Sequence, residues 1–162
     1  MDLVVATRRA AWVVVFAGSL TILALACFSR PSRPPSDEEV LQQFMHDSAT
    51  YQRVITMLAA DTNIGTITSD FLWRVGQVYG RASAAEVGIT EARLAEYRRI
   101  LGALRASSLH RWAPDQVAFV TWATGFAGNT HHRGIAWLPE RTPQRAWMRF
   151  RVIAAPWYMF ED

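Results

Sequence analysis

The sequence predicts an α+β domain, with two amphipathic helices packed on a small antiparallel sheet of three to five strands and an N-terminal apolar leader or anchor helix in front of it. Three observations lead there. Apolar residues recur at helical spacing through Val40, Phe44, Tyr51 and Leu58, and again through Leu94, Tyr97, Leu101 and Leu104. The final third turns to β-branched and aromatic runs separated by turn residues. Helical segments followed by runs of strands favour helices gathered on one face of an antiparallel sheet. The third observation is an uncharged apolar run at residues 10–28.

That run, AAWVVVFAGSLTILALACF, follows MDLVVATRR, whose Arg8 and Arg9 stay on the cytoplasmic side. Charge, then an apolar stretch, then small residues is the layout of an export signal. Three fates follow. Cleavage before Cys27 with lipid on its thiol is preferred, because Ala26 and the apolar residues upstream suit a lipobox, although Ala24 and Leu25 depart from the usual pattern. An Ala24-x-Ala26 site would instead release a protein with a free thiol. Left uncut, the 19 residues reach the length that spans a bilayer. All three put the rest of the chain outside the cytoplasmic membrane, in the bacterial cell envelope and facing the periplasm or exterior. Residues 1–27 are therefore expected to be a signal peptide, lipoprotein leader or membrane anchor, 28–36 a Pro-rich linker, and 37–162 a single α+β domain.

The linker SRPSRPPS favours extended polyproline geometry. Ser36 and Glu39 have capping-box spacing, so the first helix starts there and runs to about Ala60. Asp61-Thr62-Asn63 is turn chemistry, and Ile64, Thr66 and Thr68 fit a strand. A loop rich in Gly, Ala and Ser follows between Val75 and Gly88, then Thr90 caps the second helix, EARLAEYRRILGALRA. DQVAFVTWATGF, RGIAWLP and WMRFRVIAAPWYMFED supply the later strands. AGNTHHRG reads as a hairpin connection, and Pro156 as a bend or bulge in the last strand.

Composition narrows the function classes. With 162 residues, 51% of them hydrophobic and 12% aromatic, the chain can fill one packed core. The net charge of +3 rests on 17 basic residues, all of them Arg, scattered among acids rather than lined up in a stripe. Nucleic acid is therefore not an expected partner. The expected partners are the membrane, through lipid or the N-terminal helix, and an envelope protein. A single cysteine excludes an intrachain disulfide.

SDEEVLQQFMHDSATYQRVITML, GITEARLAEYRRIL and the closing APWYMF together resemble an uncharacterised family of small bacterial lipoproteins and exported proteins, over most of residues 36–160. The resemblance implies export and one compact domain; it implies no activity.

For chemistry, the best candidates are His131 and His132, with Asp115, Asp70 or His46 as partners. Adjacent histidines in a strand or turn point apart, and two ligands fall short of the three or four a metal site needs. No metal or cofactor is implied. Ser69 beside Asp70 lacks a G-x-S-x-G elbow, and the glycines of GFAGNTHHRG lack the Lys of a phosphate loop. Asn129-Thr130-His131 misses the glycosylation sequon. Tyr97, Arg98, Arg99 and Arg105 offer an anion-binding face or, more simply, a solvated helix side. The aromatic set Trp122, Trp137, Trp147, Trp157, Tyr158 and Phe160 should largely be core, as should about four of the six Trp after the linker. Those left exposed would mark a contact surface.

The reading that follows is a membrane-tethered binding or accessory module rather than an enzyme, with Cys27 as lipid attachment point. The alternatives are a small envelope hydrolase or metal-dependent enzyme using His131 and His132, and a single-span subunit of an inner-membrane complex.

Overall fold

A computed structural model describes residues 33–77, 80–126, 129–139 and 147–162, of which Phe126 and Asn129 are described in backbone only. Residues 34–162 form one compact unit. The expected leader, Cys27 and most of the linker lie outside the described residues. Among the described residues, no helix is long and apolar enough to cross a membrane.

Helix α1 (Asp37–Ala60) begins at a complete capping box: the Ser36 hydroxyl accepts from Glu39 N–H at 3.2 Å, and the Glu39 carboxylate accepts from Ser36 N–H at 2.6 Å. Val40, Phe44, Tyr51, Val54, Ile55, Met57 and Leu58 form its buried stripe. Strands β1 (Ile64–Thr68) and β2 (Leu72–Arg74) make a hairpin, and a 3-10 turn at Ala85–Val87 leads to helix α2 (Glu91–Ala103), capped by the Thr90 hydroxyl. Then come β3 (Ser108–Ala113), β4 (Gln116–Phe126), β5 (Asn129–Trp137), β6 (Arg149–Ala154) and β7 (Trp157–Glu161).

The expectation of three to five strands is corrected: all seven join one antiparallel sheet in the order β2-β1-β3-β4-β5-β7-β6. Three strands escaped the sequence reading, each for its own reason. The three residues of β2 are too few to show a period. The alternation in β3, SLHRWA, is disguised by a histidine and an arginine at positions that fold inward. The closing segment is a hairpin, β6 and β7, with Pro156 in its turn after a cis Ala155–Pro156 bond, rather than one bent strand. AGNTHHRG does join β4 to β5, yet His131 and His132 lie within β5 and pair with Thr124 and Ala123.

Both helices cover one face of the sheet. There Tyr51 meets Phe119 edge-on at 5.0 Å, and Trp157 packs on Phe44 at 5.2 Å. The other face carries no described helix. It has a smaller core of Ala118, Val120, Ala136, Leu138 and Phe160, rimmed by Trp112, Met148, Phe150 and Tyr158. Trp112 reaches Phe160 at 5.1 Å and Phe150 at 6.2 Å across the intervening strands. The small residues Ala118 and Ala136 belong to the same cluster. Of the six Trp after the linker, only Trp157 is buried; Trp73, Trp112, Trp122 and Trp137 are half-buried and Trp147 is exposed. Half-burial is what a sheet with no described helix on one face gives its aromatics.

Candidate functional site: the helix-free sheet face

Strand alternation delivers a row of polar side chains to the helix-free face. Thr66 pairs with His110 across β1 and β3, and Ser108 pairs with Val120 of the smaller core. Thr66 and Ser108 are the buried polar residues among those described, and His110 satisfies both. The Thr66 hydroxyl lies 3.1 Å from Nδ1 and the Ser108 hydroxyl 2.8 Å from Nε2. Since a hydroxyl both donates and accepts, either neutral tautomer of the imidazole is matched. Burial, helped by the charge of His132 nearby, pushes the His110 pKa down to about 4. The ring is therefore neutral at physiological pH.

His132 belongs to the same face, two residues before Gly134, which pairs with both Val120 and Phe160. Its Nδ1 lies 2.8 Å from Asp162 Oδ2, and its backbone N–H donates to the other oxygen of that carboxylate. The Asp162 N–H returns a bond to His132 O at 3.2 Å. His131 is exposed, and its Nδ1 lies 3.1 Å from the Asp162 carbonyl. The two histidines thus part as strand geometry requires.

The partners expected for them are elsewhere. Asp115 sits between β3 and β4. Asp70 lies in the β1–β2 turn, where its N–H donates to Thr68 Oγ1, and Ser69 precedes it. His46 is exposed on α1, 3.9 Å from Asp47. Asp162 was missed because contact order hid it: a strand pairing across 30 residues leaves no local signature. Ser108 and His110 did carry a signal, the i, i+2 spacing of two polar residues on one strand face, but only once SLHRWA is known to be a strand.

The suggested anion-binding face on α2 does not assemble. Tyr97 is fully buried, and its hydroxyl donates to Asp61 Oδ2 at 2.7 Å, where Arg93 also donates at 2.9 Å. Arg98 donates to Thr68 O, while Arg99 and Arg105 are exposed. Tyr97 and Arg93 thus tie α2 to the end of α1, and Arg98 ties it to β1.

Chemically, the Ser108–His110 contact has hydrolase-like geometry without the drive. A general base works best with a pKa near the ambient pH, and His110 at about 4 is a weak proton acceptor. Its second nitrogen meets a hydroxyl, not the carboxylate that would stabilise an imidazolium. His132 does have its carboxylate, but the serine hydroxyl on this face is bound to His110 instead. Among the described residues, no three His, Cys, Asp or Glu side chains converge as a metal site would need. What remains is a hydrogen-bonded polar seam beside half-exposed aromatic rings: Trp112, Phe150 and Tyr158 on one side, and the stacked pair Phe71 and Trp73, 4.8 Å apart, on the other. No protein family, curated protein or solved structure matches the chain.

Proposed function

We propose that residues 37–162 are the outward-facing, non-enzymatic binding or accessory module of a bacterial envelope protein, held at the membrane by the segment before them. The observation that carries this reading is the division of the chain. An uncharged run of 19 residues and a proline-rich linker end where the Ser36 capping box starts a unit that closes its own core. Lipid on Cys27 is the preferred tether. The helix-free face, with its aromatic rim and polar seam, is the surface such a module would present to an envelope partner.

The test is the intact mass, with N-terminal peptide mapping, of the full chain recovered from bacterial membranes. A product beginning at lipid-modified Cys27 is expected. A product retaining residues 1–26 would replace lipid with an uncleaved span and favour the subunit of an inner-membrane complex. Recovery of unmodified protein in the soluble fraction would overturn the tether.

The His132–Asp162 pair supports a second reading, a small envelope hydrolase. It requires a nucleophile to come within reach of the free edge of His132, and hydrolysis of a simple ester that disappears in His132→Ala would favour it.

A further inference from the structure

The loop after β2 folds back on its strand and encloses a cleft. Gln77 N–H donates to Arg74 O at 3.0 Å, and the Gln77 side chain accepts from Arg74 N–H at 3.0 Å. Ala82 N–H donates to Leu72 O at 2.7 Å and Trp73 Nε1 to Gly80 O at 2.5 Å, so both arms of the loop are pinned to β2. The space they leave is about 270 Å³, with Arg74, Val75, Gly76, Arg81 and Glu86 on its walls. Arg93, Arg98, Arg111, Arg133 and Arg151 are all bound to carboxylates or carbonyls. Among the described residues, by contrast, neither the Arg74 nor the Arg81 guanidinium donates a hydrogen bond. Glu86 is the carboxylate on the wall, and it is already committed: its Oε2 accepts from Ser83 N–H at 2.6 Å and from the Ser83 hydroxyl at 2.8 Å. Those two bonds, and then the charge of Arg74, hold its carboxyl below the usual range, so it is ionised at neutral pH.

We propose that this cleft binds a small monocarboxylate, a free acid or the carboxyl end of a peptide, between the guanidiniums of Arg74 and Arg81. Charge selects the class. Two arginines against one glutamate leave one positive charge, which a single carboxylate neutralises. A phosphate ester carries about −1.5 to −2 at neutral pH, and the excess would stand beside the ionised Glu86. The planar forks of two arginines also match the two oxygens of a carboxylate. Size narrows the choice: the cleft lies below the roughly 300–1,000 Å³ of sites for drug-sized ligands, so it takes a group of few atoms. Val75, 50% exposed, offers an apolar wall to a short side chain. At Gly76 an added Cβ would meet nothing within 4 Å, which leaves the backbone open to close approach. The hydrogen bonds of the loop form the cleft in advance, so little ordering opposes binding. Both arginines are exposed, and the affinity expected is therefore millimolar and sensitive to salt. The site does not depend on how the chain is tethered.

Amide NMR of the full chain in detergent, titrated with acetate, N-acetylalanine and N-acetylalanine amide, tests this. Saturable shifts of the Gly76 and Ala82 amides are expected with both acids and none with the amide. Arg74→Ala and Arg81→Ala should each weaken binding about fivefold or more, the upper range for exposed ion pairs. Arg81→Lys should weaken it less, while Arg99→Ala, which removes an exposed arginine of α2, should leave it unchanged. Thermal midpoints of these variants should match that of the native chain, since neither guanidinium in the cleft holds the fold. Tighter binding of N-acetylalanine than of acetate would assign the cleft to a peptide end, and equal binding would assign it to a free acid. Shifts that do not saturate, equal shifts with the amide, inorganic phosphate binding as tightly as acetate, or Arg74 and Arg81 variants that bind like the native chain would each overturn the site.

Discussion

Gly134 shows how much a single position in this sheet has to satisfy. A Cβ added there would lie 1.9 Å from Phe119 O and 3.1 Å from Phe160 Cε1, beside the bulge at Val120–Trp122 where β4 crowds β5. Gly134→Ala is expected to cost about 3 kcal/mol or more, as strained insertions into packed sites do; a loss under about 1 kcal/mol in urea denaturation would show that the strands yield there. The sequence suggests a glycine of a turn, HHRG, because crowding from a strand 15 residues earlier is invisible locally. His110 makes the second residue-scale prediction. Its pKa of about 4 lies below the ordinary 6.5, so the unfolded chain binds the proton first as pH falls. Stability from this group is fully present above pH 6.5 and is lost as pH falls towards 4. Between pH 7 and 5 the loss comes to about 2 kcal/mol by linkage. Urea midpoints should show this slope in the native chain and a flatter one in His110→Gln, which retains a polar partner for the hydroxyls. Equal slopes would mean that His110 protonates in place without cost.

At the scale of elements, legibility followed the range of the interactions. Helix α1 could be read because its capping box and apolar stripe are both local, and its observed start at Asp37 is one residue past Ser36. Strand β3 could not, because its inward-facing arginine makes sense only in three dimensions. The Arg111 guanidinium donates to Leu58 O at 2.7 Å, Asp61 O at 3.1 Å and Ile64 O at 2.9 Å, closing the carbonyl end of α1 and tying it to β1. A helix leaves its last four carbonyls unpaired, and here a side chain from a strand about 50 residues later takes up the one of Leu58 together with that of the C-cap residue Asp61. Arg111→Leu is expected to lower stability by about 3 kcal/mol, since partly buried carbonyls lose a charged donor. Arg111→Lys should recover only part, because an ammonium lacks the planar fork. If the two variants unfold at the same urea concentration, the forked geometry is irrelevant and only the charge or the stem matters.

At the scale of the whole molecule, the sheet is larger than its sequence suggested because its short strands draw their stability from neighbours rather than from their own propensity. The candidate site was legible to the same degree. His132 could be named from HHRG, but Thr66 reaches His110 only through the pairing of β1 with β3, and Asp162 reaches His132 only through the pairing of β5 with β7. The same architecture predicts how the molecule comes apart. Residues 34–162 hold the paired strands and both apolar clusters, and α1 is capped by Ser36 rather than by anything further upstream. The tether and the module should therefore be separable. Brief treatment of bacterial membranes with a broad-specificity protease should cut the proline-rich linker and release a fragment beginning within 28–36. That fragment is expected to melt at the same temperature as the intact chain, because the strand pairings, both apolar clusters and the Ser36 cap lie within residues 34–162. A fragment that unfolds or precipitates on release would mean that the upstream segment completes the fold, and a chain that was never in the membrane pellet would remove the tether itself.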